Sequence, residues 1–263
     1  MGMASGGVGM YYLRVFLVGF GFCLFGLVGL LGNVIFIPIV LLRLQRYKKI
    51  QFFSRDLVRW SWFLYLQGLR ITGVISYKSR ITYYYRQKQL IIANHPSLLD
   101  VVFLLASIPR ANCVVKESLQ RNIFLQFAIK ACGYIANSST EALLEQSIKA
   151  LNNQESLIIF PEGTRTKAEI CFHKAVSHLA IHGAESIKML YIDAHQNALK
   201  KEQKWYNVPT KRLTYKIYDL GEQNLLDFEI NKTNPLRVRA LHCLLNQIYQ
   251  TQQKERNGTT KYD

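Results

Sequence analysis

The sequence lacks the cysteine patterns of disulfide-rich and zinc-binding proteins. Its five cysteines are odd in number and widely spaced, and none belongs to a C-x-x-C pair. Disulfide frameworks and structural zinc sites are both built from paired cysteines. Neither kind of structure is therefore expected, and free thiols are typical of a reducing cytoplasm.

Acidic residues are also scarce. The chain has 33 Lys and Arg residues against 17 Asp and Glu residues, which gives a formal net charge of +16. A protein with this charge should be attracted to an anionic surface, either nucleic acid or the acidic headgroups of a membrane. Charge alone does not distinguish these two partners.

Charged residues are absent altogether from Val15 to Leu42, where only Asn33 and Pro38 interrupt 28 apolar or small positions. As a helix with a rise of about 1.5 Å per residue, this run would reach about 42 Å, beyond the roughly 30 Å of bilayer hydrocarbon. We therefore expect a membrane anchor that tilts, kinks or folds back as a helical hairpin. The cations that follow place the downstream domain on the cytoplasmic face of the cell (inner) membrane. They are Arg43, Arg46, Lys48 and Lys49.

A chain of 263 residues suggests one catalytic domain with an appendage. We predict a membrane anchor with a basic, interfacial segment over residues 1–70, a catalytic domain over 71–250 and a polar tail over 251–263. Within the first segment, Trp60 to Leu69 suits either the headgroup interface or an amphipathic helix packed on the domain. The tail is expected to fray from Gln250 onwards, after a last amphipathic helix that starts at Asn234.

Short apolar runs alternate with longer helical periodicities beyond the basic segment, which is typical of an α/β domain. Gln89 to Ala93 and Ser156 to Phe160 are predicted to be buried strands, and each is followed by a turn with polar residues. Open α/β sheets bind their ligands at the carboxyl ends of strands. The two turns are therefore expected to share one edge of the sheet and one substrate.

The first turn contains His95, five residues before Asp100. A carboxylate that accepts one ring N–H fixes the imidazole tautomer and leaves the other nitrogen to take a proton from a hydroxyl. Pro96 is expected in the first turn of the following helix, with Ser97 as its cap. The pair could also be purely structural, but no G-x-S-x-G nucleophile elbow offers a different chemistry.

The second turn is Phe160-Pro161-Glu162-Gly163-Thr164-Arg165. Gly163 lets the backbone pass close to a ligand, and Arg165 offers a planar fork suited to a phosphate. Glu162 can hold the arginine or bind an acceptor hydroxyl. Taken alone, the segment could simply be a stable turn.

Together these segments resemble the glycerophosphate and lysophospholipid acyltransferase family. The resemblance extends from about Gln89 to Val208 and rests on three blocks in the family's order. They are Asn94 to Asp100, Gly133-Tyr134-Ile135, and the F-P-E-G-T-R segment that ends at Arg165. The resemblance implies a mixed sheet flanked by helices, with an N-terminal membrane-anchoring helix or helical hairpin.

The resemblance also implies a role for each matching residue. His95 would be the base that activates the acceptor hydroxyl, and Asp100 would orient it. The expected acceptor-phosphate ligands are Lys116, Glu162, Gly163, Thr164 and Arg165. The expected supporting turn residues are Asn94, Pro96, Ser97 and Gly133.

The implied reaction is direct transfer of a fatty acyl group from a thioester of acyl carrier protein or coenzyme A, without a metal or an organic cofactor. The simplest acceptor is 1-acyl-sn-glycerol 3-phosphate, which would give phosphatidic acid. The implied partners are the lipid acceptor, the acyl donor and the bilayer, and not nucleic acid. A basic membrane- or nucleic-acid-binding protein is a remote alternative, which for nucleic acid leaves the apolar segment unexplained.

Three departures from the family pattern concern the acceptor. Ala136, Asn137 and Ser138 follow Ile135 where many members have an arginine. Ala175 stands where a glycine is usual, and Ile187 to Tyr191 lacks the usual proline. The segment Lys204-Trp205-Tyr206 with Pro209 resembles bacterial members that act on unusual acceptors. A non-glycerol acceptor, such as an ornithine-type or aryl-polyene lipid, is therefore the alternative.

Overall fold

The computed structural model of the chain describes residues 4–79, 86–166, 169–194, 206–207 and 212–259. The helices within these ranges are α1 (Ala4–Leu41), α2 (Lys48–Ile71), α3 (Asp100–Ser107), α4 (Gln126–Cys132), α5 (Thr140–Asn152), α6 (Lys174–Gly183) and α7 (Asn234–Thr259). The strands are β1 (Ile75–Ser79), β2 (Gln89–Ala93), β3 (Asn112–Lys116), β4 (Ile135–Asn137), β5 (Leu157–Ile159), β6 (Ser186–Ala194) and β7 (Leu213–Asn224). Lys204, Trp205 and Pro209 lie outside the described residues.

The described strands form one mixed sheet in the order β1-β7-β6-β2-β5-β3-β4. β6 and β7 are antiparallel, and every other neighbouring pair is parallel. Parallel strands need helices on both faces of the sheet, and β2 is accordingly buried at all its residues. The expected α/β class and mixed sheet are confirmed.

Side chains of β2 alternate between two hydrophobic cores. Ile91 and Ala93 belong to a core that includes residues of α2 and α3, whereas Leu90 and Ile92 belong to a core that includes residues of α5, α6 and α7. The domain therefore has three layers, with the central strands in the middle of the apolar interior. The end of β2, where the following turn begins, is therefore held in place by a hydrophobic core on each face of the sheet.

The long apolar run forms a single helix. α1 continues from Ala4 to Leu41 with Pro38 in its last turn, so the helix predicted from the sequence occurs and the hairpin alternative does not. Its Tyr11–Leu41 portion is long and apolar enough to cross a membrane. Most of this portion is not buried within the protein.

One side of α1 packs along the rest of the domain. Val18 lies in the same core as residues of α2 and α3. At Gly29, an added Cβ would lie only 2.8 Å from the backbone oxygen of Phe124, so glycine permits the close approach. Ile39 packs with residues of α2 and α4. The helix therefore contacts the domain over more than twenty residues of its length.

The segment Trp60 to Leu69 lies in α2 and packs on the domain. Tyr65 and Leu66 are buried, whereas Trp60 and Leu64 are exposed. The segment is thus the amphipathic helix that the sequence allowed as one of two alternatives. Its exposed side still presents large apolar groups to the surroundings.

A buried ionic network ties α2 to the sheet. Arg55 Nη1 lies 2.6 Å from Glu155 Oε2, which also accepts a hydrogen bond from the Asn112 side chain at 3.1 Å. Lys48 forms an ion pair with the second oxygen of Glu155. Burying opposite charges is tolerated when both are paired and hydrogen-bonded, so this network fixes α2 against the amino ends of β3 and β5.

The last helix starts at Asn234 as expected but continues to Thr259. The prediction of fraying from Gln250 is therefore wrong as far as Thr259. Gln253 accepts a hydrogen bond from the Ile170 backbone N–H at 3.1 Å. This contact with the segment that follows the F-P-E-G-T-R motif holds the last turns of α7 in place.

Candidate active site

The two motif-bearing turns leave the sheet side by side. β2 and β5 are parallel neighbours, with Ile92 opposite Ile159. Because the carboxyl ends of parallel strands lie at one edge of a sheet, the turn after Ala93 and the turn after Ile159 meet there. The expected shared edge is confirmed.

Two long-range contacts fix the exit of β2. The side-chain amide of Asn94 donates to the Ile192 carbonyl at 2.8 Å and accepts from the Ile192 N–H at 2.7 Å. The Tyr249 hydroxyl, contributed by α7, lies 3.1 Å from the Ile92 carbonyl and 2.8 Å from the Leu190 carbonyl. Asn94 therefore supports the turn, and it does so by pairing with the neighbouring strand β6.

His95 and Asp100 form a hydrogen bond, with 2.8 Å between His95 Nδ1 and Asp100 Oδ2. Asp100 is fully buried, whereas the His95 side chain is 17% exposed. An ionised carboxylate can only accept hydrogen bonds, so Nδ1 is the donor in this bond, and in the neutral imidazole Nε2 then has the free lone pair. The ring of Phe160 lies against the imidazole, with 4.4 Å between the ring centroids. The pair has the geometry of an oriented general base.

The structure corrects the expected roles of Pro96 and Ser97. α3 begins at Asp100, with Leu99 at its N-cap and no side-chain cap, so Pro96 lies in a loop before the helix. Ser97 serves Asp100 instead, because its N–H donates to Oδ2 at 2.6 Å and its hydroxyl donates to Oδ1 at 2.7 Å. The buried Asp100 carboxylate requires hydrogen-bond donors. Ser97 in the loop supplies them, and the helix begins at Asp100 instead of at Pro96.

Glu162 and Thr166 hold the main chain of His95. Glu162 Oε1 accepts from the His95 N–H at 2.9 Å and from the Thr166 hydroxyl at 2.7 Å. The Thr166 N–H donates to the His95 carbonyl at 2.8 Å. Thr166 was missed by the sequence reasoning, although its place directly after the F-P-E-G-T-R segment was a signal. Both backbone groups of His95 are thus bonded to the second turn.

Gly163 gives the second turn its shape. Its φ of 63° is left-handed, a region that glycine enters without strain. Its N–H donates to the Phe160 carbonyl at 3.0 Å and closes the turn. Gly163 and Thr164 are exposed and Arg165 is half-buried. These three proposed phosphate ligands therefore lie at the surface of the turn, where an acceptor can approach, whereas Glu162 is buried.

Lys116 and Gly133 lie outside the two turns. Lys116 ends β3, which runs parallel to β5, so this exposed lysine lies at the same edge of the sheet. Gly133 has a φ of 65° and ends α4. An added Cβ there would lie 3.1 Å from the Gln51 side chain. Gly133 therefore supports the packing of α4 on α2.

Comparison with known proteins shows which proteins this chain resembles. Residues 75–196 match the Acyltransferase family model. The 1-acyl-sn-glycerol-3-phosphate acyltransferase of Helicobacter pylori is 35% identical over 85 residues, which cover 30% of this chain and 36% of that protein. The enzyme of the same name from Cocos nucifera is 31% identical over 166 residues, which cover 60% of this chain and 52% of that protein. The chain thus spans between about a third and a half of the length of these relatives.

The fold has a counterpart among solved structures. The 1-acyl-sn-glycerophosphate (LPA) acyltransferase PlsC from Thermotoga maritima superposes with a TM-score of 0.56 over 81% of this chain and 92% of that chain. At 19% sequence identity, this likeness concerns the fold. Over residues 75–196 the chain is thus similar to the Acyltransferase family, and the two relatives it resembles are 1-acyl-sn-glycerol-3-phosphate acyltransferases.

The buried position of Glu162 leads to a testable pH dependence of stability. Burial raises the pKa of this carboxyl above its ordinary value of 4.5, and hydrogen bonds from Thr166 and the His95 N–H partly offset the effect. The folded protein therefore binds the Glu162 proton to a higher pH than the unfolded chain does. By linkage, this group lowers the free energy of unfolding as the pH rises from about 4.5 through the raised pKa.

The variant Glu162→Gln does not titrate and keeps an oxygen that can accept both hydrogen bonds. Its stability relative to wild type should therefore increase as the pH rises through that window. Thermal unfolding of both proteins in one detergent, between about pH 4 and pH 8, measures the difference. A constant difference, or one that shrinks with rising pH, would contradict the raised pKa.

Proposed function

We propose that the protein transfers a fatty acyl group from an acyl thioester to the free hydroxyl of a lysophospholipid, most simply 1-acyl-sn-glycerol 3-phosphate, to give phosphatidic acid. The hydrogen bond between His95 and the buried Asp100, next to the turn that carries Arg165, is the observation that supports this proposal most strongly. A base and a phosphate-binding side chain at one edge of a sheet suit an acceptor with a hydroxyl and a phosphate.

In the proposed reaction, His95 Nε2 takes the proton of the acceptor hydroxyl as its oxygen attacks the thioester carbonyl. Asp100 keeps Nδ1 protonated and stabilises the imidazolium. The tetrahedral intermediate then collapses, the carbon–sulfur bond breaks, and the departing sulfur receives the proton from His95. The Ser97 hydroxyl donates to Asp100, which supports direct transfer without an acyl-enzyme at this serine.

We propose that Arg165 binds the acceptor phosphate, with Lys116 as a second cation and the backbone around Gly163 and Thr164 forming the approach. The planar guanidinium suits two phosphate oxygens at once. Lys116 pairs in register with Asn137 of β4. Many family members have an arginine close to this position, so this chain has one cation fewer beside Lys116.

That missing cation favours a second candidate, a non-glycerol acceptor such as an ornithine-type or aryl-polyene lipid. The same His95 chemistry would then act on a different hydroxyl or on an amine. For the donor, acyl carrier protein and coenzyme A are both anionic, and the net charge of +16 would steer either one by electrostatic attraction.

We propose that the bilayer, and not nucleic acid, is the anionic surface that this protein binds. The division proposed is an anchor over residues 1–70 and a catalytic domain over 71–250, on the cytoplasmic face of the cell (inner) membrane. The polar segment after residue 250 extends α7 as far as Thr259.

The packing of α1 supports an anchor that lies in one leaflet. Contacts with the domain run from Val18 to Ile39, and the Asn33 side chain donates to the Ile123 carbonyl at 2.9 Å. A helix that crossed the bilayer with these contacts would carry the catalytic domain into the hydrocarbon. The exposed side of α1, which includes Phe16 and Leu31, can instead be buried among the acyl chains.

Epitope tags at the two termini test this arrangement. If α1 lies in one leaflet, both tags in sealed vesicles should be digested by protease from the same side. A tag protected at one terminus and digested at the other would show that α1 spans the membrane. Vesicles opened by detergent, in which both tags should be digested, provide the control.

The reaction is tested by thioester consumption and lipid product analysis on detergent-solubilised protein, with 1-acyl-sn-glycerol 3-phosphate and either donor. His95→Ala should lower the rate by at least about 1000-fold, because the general base is lost. Arg165→Lys keeps the charge but not the fork, and it should mainly raise the KM for the phosphate acceptor. If wild type forms no product with either donor, the proposal that the protein makes phosphatidic acid is wrong. A change in the KM for the donor alone would contradict the proposed role of Arg165.

A further inference from the structure

The two turns are joined at one residue, because both backbone groups of His95 are bonded to the second turn. The His95 N–H donates to Glu162 Oε1 at 2.9 Å and approaches Thr166 Oγ1 at 3.2 Å. The His95 carbonyl accepts from the Thr166 N–H at 2.8 Å. The Thr166 hydroxyl closes the cycle by donating to Glu162 Oε1 at 2.7 Å.

We infer that Thr166 is a positioning residue for His95, acting together with Glu162 through the His95 main chain. This inference rests on the proposed function of His95 as the base. The side chain of His95 is oriented separately, by Asp100 at Nδ1 and by the ring of Phe160. The Thr166 contacts therefore fix the position of the His95 main chain, and the bond to Asp100 fixes the orientation of the imidazole ring.

Glu162 takes on a different role from the one that the resemblance implies. The residue is 6% exposed, and its Oε1 atom already accepts two hydrogen bonds from the protein. A buried carboxylate is costly unless donors compensate for its lost hydration. Glu162 is therefore an internal acceptor that fixes the base, and the acceptor phosphate is left to the exposed part of the same turn.

The hydroxyl of Thr166 makes this arrangement specific. It is a donor to Glu162 that holds the carboxylate in the orientation in which Oε1 faces the His95 N–H. Without the hydroxyl, Glu162 loses one of two donors, and its side chain is free to rotate away from His95. A shift of about 1 Å at a catalytic group can lower a rate by about 100-fold, whereas substrate binding elsewhere is unaffected.

The test compares Thr166→Val, which has nearly the same shape and no hydroxyl, with Thr166→Ser, which keeps the hydroxyl. Thr166→Val should lower kcat by about 10- to 100-fold, with the KM values of acceptor and donor unchanged within about twofold. Thr166→Ser should retain kcat within about threefold of wild type. Both variants keep the backbone bond to the His95 carbonyl, and Thr166 is only half-buried, so both should unfold close to the wild-type temperature.

Three results would overturn the inference. They are an unchanged kcat in Thr166→Val, a raised acceptor KM with kcat intact, and a loss of kcat in Thr166→Ser equal to that in Thr166→Val. Activity that survives in His95→Ala, or its absence from wild type, would count against the proposed function instead.

Amide hydrogen exchange separates these two failures because it needs no turnover. The His95 N–H should exchange faster in Thr166→Val than in wild type and Thr166→Ser, while the Ile192 N–H, held by Asn94, keeps its protection. Equal protection of the His95 N–H in all three proteins would overturn the positioning role even if no substrate were known.

Discussion

The parallel pairing of β2 with β5 is the constraint on which the site depends. It brings two turns that are more than sixty residues apart in sequence to one edge of the sheet, where the hydrogen bonds of His95 connect them. The site also contains two buried carboxylates, Asp100 at the start of α3 and Glu162 in the second turn. Burying such groups is unfavourable unless several donors face them. The compensating donors, from Ser97, Thr166 and His95 itself, are the groups that fix the base. The bonds that give the site its geometry thus offset part of the cost of burial.

The long apolar helix α1 and the candidate site share one hydrophobic core. Val18 of α1 and Tyr65 of α2 belong to the same cluster as Leu99, which immediately precedes α3 and ends the loop after His95. The orientation of α1 and the orientation of the edge that carries His95 are therefore mechanically linked. Under the proposed function, this linkage would keep the base at the membrane interface, where the acceptor and the product stay, without a flexible tether.

Local patterns in the sequence were enough to predict the strands before His95 and Pro161, the shared edge, the long apolar helix and the start of α7. These features follow from periodicity, from turn chemistry and from the rule that parallel strands end together. Features set by long-range contacts were missed. Thr166 binds a residue 71 positions away, and Gln253 extends α7 through a bond to Ile170. No local pattern encodes such pairings. The later start of α3 was missed for a different reason, because Ser97 donates to Asp100, three residues away, instead of capping an earlier helix. The motif predicted Glu162 as a site residue, but only its burial and its partners indicate what it does.

The most direct test of the account is the kcat of Asp100→Asn with the acceptor that wild type uses. Asp100→Asn should lower kcat by about 1000- to 10,000-fold at unchanged KM, because an amide at this position can no longer fix the Nδ1–H tautomer of His95. A kcat within about tenfold of wild type, in a variant that unfolds at the wild-type temperature, would contradict the assignment of His95 and Asp100 as the oriented base.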